Sequence, residues 1–120
     1  MRLMLAALLC VSGFSHAYLY IHGYRYVPQI GDAFLLQASV CFAVAALLVL
    51  GGPAWLWWVA AGMAGGSLVA FALSRTVGLW GFTERGWQPA PHAVISVAAE
   101  VLTVAVWAGW QLSRRVATPR

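Results

Sequence analysis

The sequence predicts an all-α membrane protein: four transmembrane helices in an antiparallel bundle made of two helical hairpins. Three observations predict it. Four apolar spans each approach the roughly 20 residues that cross a bilayer. Charged residues make up 8% of the 120-residue chain against 62% hydrophobic, where a soluble domain carries about 25% charged. Glycine and proline mark the gaps between spans, and strand-like alternation of apolar and polar residues is absent. Backbone groups in lipid need internal partners, so such spans are helices.

The first span covers residues 3–21. Arg2, the apolar run to Phe14, and Ser15-His16-Ala17 also have the three regions of a signal peptide cleaved after Ala17. The apolar character continues through Tyr18 to Ile21, which favours a retained helix; Leu9 before Cys10 disfavours a lipoprotein signal. The second span, residues 33–50, follows Asp32, which is placed to cap it. Only Gly51-Gly52-Pro53 separates it from the third, residues 54–73, so the two form a tight helical hairpin. Pro91 sits where the first turn of the fourth helix, residues 93–112, accepts it. The whole chain is a single four-helix domain.

A net charge of +4 is the balance of seven arginines and three acidic residues, with no lysine. They are scattered over ends and loops and form no patch for nucleic acid; the partner they imply is the lipid bilayer. With four helices both termini share one face, which holds Arg2, Arg114, Arg115 and Arg120. The other face holds Arg25, Arg75 and Arg85 in the longer loops, 22–32 and 74–91. Arginine bias then puts both termini in the cytoplasm. Aromatic residues read as two interfacial belts. One comprises Tyr18, Tyr20, Tyr24, Tyr26, Trp80 and Trp87; the other comprises Trp55, Trp57, Trp58, Trp107 and Trp110. Cys10 and Cys41 read as small buried hydrophobes, without a C-x-x-C pair.

Glu100 lies inside the apolar stretch from Val94 to Trp110. A carboxyl group there costs about 2.5–3.5 kcal/mol on insertion scales, so it faces a bundle interior, a cavity or a partner. Counting along helices at about 1.5 Å per residue puts Glu100, His16, Gln37 and Ser67 roughly 9–12 Å below the outer surface. Each of the four helices thus supplies one polar side chain at one level. Spacings of three and four residues extend the layer into stripes: Ser12, His16 and Tyr20 on the first helix, and His92, Ser96, Glu100 and Thr103 on the fourth. For Gln37, Ser67 and Thr103 the simpler role is interhelical hydrogen bonding. Glu100 pairs with His16 as a ligand or proton site, and Arg75 is a second candidate counter-ion. Gly62 and Gly66 form a G-x-x-x-G face suited to close packing within the bundle or to a homodimer.

The outer loops add candidate contacts: Tyr24, Arg25, Glu84, Arg85, Trp87 and His92. The 74–91 segment reads as an interfacial segment, with a lid as the alternative. Here the chain resembles a family. Ser74-Arg75-Thr76-Val77-Gly78-Leu79, then Gly81-Phe82, Glu84, Trp87 and Pro89, are similar to a loop motif of uncharacterised small four-helix membrane proteins of bacteria, especially actinobacteria. In these a glutamate in the last helix and a histidine near the end of the first are similar to Glu100 and His16. The resemblance implies the four-helix topology, a bacterial inner (plasma) membrane location and the Glu100–His16 pair; it carries no activity, and the cofactor is left open.

Three functions compete. The first is an accessory subunit of a larger membrane complex, or a small-ligand-binding protein, with an outward polar layer around Glu100 and His16. The second is a dimeric proton-coupled transporter of small molecules. The third is a haem- or metal-binding protein using His16, His22 and His92, although two or three histidines at different depths make a weak metal site. No hydrolase nucleophile motif is present, and an enzyme is not the expected reading.

Overall fold

The computed structural model describes residues 1–117. It contains helices α1 (Arg2–Ile21), α2 (Ile30–Val49), α3 (Trp55–Arg75) and α4 (His92–Ala117), with a single 3-10 turn at Tyr24–Tyr26. All four helices are long and apolar enough to cross a membrane, so the chain is a multi-pass four-helix bundle. Helix α1 is the hub, packed on α2 and α4; α3 packs mainly on α4 and touches α2 lightly.

The boundaries differ most from expectation at α2 and α4, while α1 is the continuous helix expected. Helix α2 begins at Ile30, with Gln29 at the N-cap and Asp32 inside the first turn. Asp32 is therefore not the cap, although its charge still lies at the positive end of the helix dipole. Gly31 explains the earlier start: a β-carbon there would lie 2.6 Å from the Tyr24 carbonyl oxygen, so only glycine lets the 3-10 turn seat on α2. Helix α4 runs to Ala117, because no glycine or proline interrupts Gln111 to Arg115. Helix α1 continues unbroken across Ala17.

The α2–α3 turn is a Schellman motif. Gly51 takes φ 86°, and the Gly52 and Gly51 amides donate to Leu47 (2.8 Å) and Leu48 (3.2 Å) carbonyls. Arg2 adds donors to the Leu48 and Gly52 carbonyls at 3.1 Å each. The amino terminus is thus tied to the helix hairpin, and Met1 also reaches Gly109 of α4. Arg2, Arg114 and Arg115 consequently share the terminal end of the bundle, while Arg120 lies outside the described residues. Below this cap lies the apolar core, built on Leu5, Leu9, Val44, Leu48, Leu56 and Trp57.

Several side-chain expectations are corrected. Trp57 is buried and stacks on Trp110 with ring centroids 4.7 Å apart, so it belongs to the core and not to a belt; Trp55 and Trp58 are exposed. Cys41 is buried but Cys10 is exposed. The glycine stripe does not pack within the bundle: a β-carbon at Gly62, Gly65 or Gly66 would meet nothing within 4 Å.

Candidate functional site

Toward the loop end the interior turns polar. Glu100 of α4 is 2% exposed, and its Oε1 accepts hydrogen bonds from hydroxyls on three helices. Ser67 of α3 donates at 2.7 Å, Ser96 of α4 at 2.8 Å and Ser12 of α1 at 3.5 Å. His16 Nε2 stands 3.8 Å from the same oxygen. Local helix geometry sets this up: Ser96 and Glu100 are four residues apart on one face, as are Ser12 and His16.

The proton positions follow from the partners. His16 Nδ1 lies 2.8 Å from the Ser12 carbonyl oxygen, which can only accept, so Nδ1 carries a hydrogen. A neutral His16 therefore presents its lone pair at Nε2, toward Glu100. Ionised Glu100 presents only lone pairs as well. Two acceptors facing each other at this range are reconciled by one more proton or by a donor brought from outside. The three serine hydroxyls cannot serve, because each has already given its single hydrogen to Oε1.

A cavity of about 90 Å³ runs from Glu100 to the loops. Ser67, Ser96, His16 and Glu100 form its floor, and Tyr24, Phe34, Phe71 and Phe82 wall it with aromatic rings. Phe34 packs edge-on to His16 with centroids 5.0 Å apart and stacks on Tyr24 at 4.8 Å.

The segment between α3 and α4 lies over the mouth, with Leu79, Phe82 and Pro89 in the lining. It is closer to a lid than to a plain interfacial segment. Leu79 and Phe82 close a tight turn with paired backbone bonds of 2.9 and 2.8 Å. Two latches hold the segment down. Arg75 donates from Nε to the Gly86 carbonyl at 3.0 Å, from Nη2 to the Gln88 carbonyl and from Nη1 to Ser74 Oγ at 2.6 Å. Tyr24 donates to Glu84 Oε1 at 2.6 Å, while the Glu84 amide binds the Ser74 carbonyl at 2.9 Å. Burial, the Glu84 hydrogen bond and the Glu84 charge push the Tyr24 phenol above the ordinary tyrosine range, against an opposing effect of Arg75.

The expected polar layer is thus mostly assembled. His16, Ser67 and Glu100 converge. Gln37 is buried but does not line the cavity; Phe34, one turn nearer the loops, supplies the α2 wall instead. Thr103 bonds back to the Ala99 carbonyl at 2.7 Å, so it does not reach Glu100. Arg75 lines the cavity, but its hydrogen bonds go to the lid and its guanidinium lies 3.9 Å from the Phe71 ring centroid; it latches the lid instead of pairing with Glu100. Of the remaining loop candidates, Trp87 packs on Phe71, Arg25 donates to the Tyr26 hydroxyl, and Arg85 is exposed. His92 and His22 both stack on Tyr18, at 4.2 and 3.9 Å. Two rings at such distances occupy opposite faces of Tyr18, which keeps the imidazoles from sharing an ion. Among the described residues no three His, Cys, Asp or Glu side chains gather closely enough to hold a metal.

Sequence reasoning missed the aromatic walls. Phe34, Phe71 and Phe82 carry no spacing signal that separates a cavity wall from lipid-facing surface. The stripes did contain Ser12 and Ser96. Compared with protein-family models, curated proteins and solved structures, the chain matches none.

Proposed function

We propose that this chain is a small-ligand-binding protein of the bacterial inner membrane. Its ligand occupies the cavity between Glu100 and the Arg75–Tyr24 lid, and both termini lie in the cytoplasm. In this reading it belongs with the small actinobacterial-type four-helix proteins it resembles and works alone or as an accessory subunit of a larger complex. The observation that carries the proposal is a buried carboxylate held by three hydroxyls at the floor of a lidded cavity. Interhelical cohesion alone does not call for an ionisable group, whose burial is costly; ionisable groups inside membranes generally mark sites.

The test is thermal unfolding in nanodiscs with a panel of small ammonium, carboxylate and neutral compounds. Wild type is compared with Ala70→Trp, which puts an indole into the cavity that Ala70 of α3 lines. At least one compound should raise the wild-type midpoint and leave Ala70→Trp unchanged. If no compound distinguishes the two proteins, the binding reading fails.

Proton-coupled transport by a dimer is the second reading, favoured by the facing lone pairs of His16 and Glu100 and by the open Gly62–Gly66 stripe. It requires that vesicles containing the protein move protons when substrate is added, and that Gly66→Leu abolish both cross-linked dimer and transport.

A further inference from the structure

We infer that the ligand is a small ammonium cation, seated with its N–H groups on Glu100 and His16 and its carbon atoms among the aromatic rings. This rests on the binding reading above and names its chemistry.

The argument begins with an inventory of hydrogens at the cavity floor. Ser12, Ser67 and Ser96 each donate their single hydroxyl hydrogen to Glu100 Oε1. His16 has its Nδ1 hydrogen committed to the Ser12 carbonyl. What remains for a ligand is the other Glu100 oxygen and the His16 Nε2 lone pair, both acceptors. A carboxylate or phosphate would meet lone pairs and a negative charge. A neutral carbonyl would find no donor. A primary ammonium brings three donors and the opposite charge, so it complements every group left unspent. When no cation is seated, a proton on the pair serves the same two lone pairs.

The walls agree with the floor. The carbons next to an ammonium nitrogen share its positive charge, which aromatic faces attract; Tyr24, Phe34 and Phe82 line the space, while Arg75 already lies over the Phe71 ring. The other cation in the lining, Arg75, does not compete for the floor. Its Nε and Nη2 are engaged at the lid and its Nη1 on Ser74 of α3, and it lies eight residues along α3 from Ser67, a rise of about 12 Å. Size sets the limit on the carbon skeleton. The cavity is about 90 Å³, smaller than the engineered cavity of about 150 Å³ that takes benzene. That favours an ammonium with only a few carbons over a bulky quaternary amine.

The probes are n-propylammonium, 1-propanol and propionate, matched in size and different in charge. Binding is measured at neutral pH by calorimetry on protein in nanodiscs, for wild type, Glu100→Gln and Phe34→Leu. Wild type should bind n-propylammonium and show no heat with the other two. Glu100→Gln, nearly isosteric, should weaken binding at least tenfold while keeping the wild-type circular dichroism, and Phe34→Leu should weaken it severalfold. Glu100→Asp, which keeps the charge, should recover part of the lost affinity and so separates a charge requirement from a folding defect. Equal binding of 1-propanol, preferential binding of propionate, or unchanged affinity in Glu100→Gln would each overturn the cation assignment while leaving the cavity a binding site. Absence of heat with all three probes also overturns it; the broader reading then falls only if the compound panel fails as well.

Discussion

The two ends of this bundle are built from the same four helices and filled in opposite ways. At the terminal end, Leu5, Leu9, Leu48, Leu56 and Trp57 pack into a dry core under the Arg2 cap. At the loop end, His16, Ser67, Ser96 and Glu100 line the floor of a cavity under a latched lid, with Ser12 behind Glu100. The difference teaches where cohesion resides. Packing of apolar side chains needs no partner of special chemistry, so one end can hold helix register. A carboxyl at the other end costs free energy to bury and gains it back only through hydroxyls and a counter-charge. The closely packed end offsets that cost.

The sharpest way to break this division is to damage the dry end. Leu56 is 1% exposed, and Leu56→Ala should destabilise the fold by about 2–5 kcal/mol through lost contacts and a cavity. Denaturant titration in mixed micelles measures the loss, and calorimetry on the folded fraction should find ligand affinity unchanged. A cost below about 1 kcal/mol, with affinity altered instead, would mean that the two ends are not separate.

Next comes the polar end itself. Hydrogen bonds to charged groups contribute about 1.5–3 kcal/mol, and geometry ranks the donors. Ser67 donates to Glu100 at 2.7 Å and Ser12 at 3.5 Å. Ser67→Ala should therefore cost about 1.5–3 kcal/mol and Ser12→Ala distinctly less. On a Glu100→Gln background the gap between the two should shrink. Equal costs in both backgrounds would show that Glu100 does not organise the serines.

A smaller effect is expected at the hairpin turn. Gly51 holds φ 86°, a left-handed conformation that costs a residue with a β-carbon about 1–2 kcal/mol. Gly51→Ala should lower stability by that amount and leave the cavity untouched, as thermal unfolding with and without ligand would report.

The contrast between ends also explains what was legible in the sequence. The four spans were legible because hydrocarbon admits so few backbone solutions, and Gly51-Gly52-Pro53 marked the turn by local chemistry. The Glu100 layer was legible because an ionisable group among apolar residues needs partners, and helix rise alone brings His16 and Ser67 to its depth. Depth says nothing of which way a side chain faces, and that is why depth alone selects Gln37 where Phe34 lines the cavity. Charge alone matches Arg75 to Glu100, yet backbone carbonyls of the lid satisfy it. Trp57 reads as a belt residue in sequence because an aromatic ring near a helix end serves equally as anchor or core until its neighbour, here Trp110, is known.

The finest test concerns the lid. Tyr24 reaches from the 3-10 turn to Glu84 at 2.6 Å, so Tyr24→Phe removes one latch while keeping the ring that lines the cavity. The acceptor is charged, but the site is only part-buried and solvent screens it. The bond is therefore worth about 0.5–1.5 kcal/mol, and the loss should appear as a modest drop in stability together with faster ligand release. Its pH dependence has a definite sign. Because the folded chain holds the Tyr24 proton more tightly than an ordinary tyrosine with pKa 10.0, the latch contributes fully below about pH 10 and is lost as pH rises toward the raised folded value. The stability difference between wild type and Tyr24→Phe should accordingly be level at neutral pH and shrink above pH 10, followed by tyrosinate absorbance alongside unfolding. A difference that stayed level above pH 10, or no difference at all at neutral pH, would remove Tyr24 from the latch.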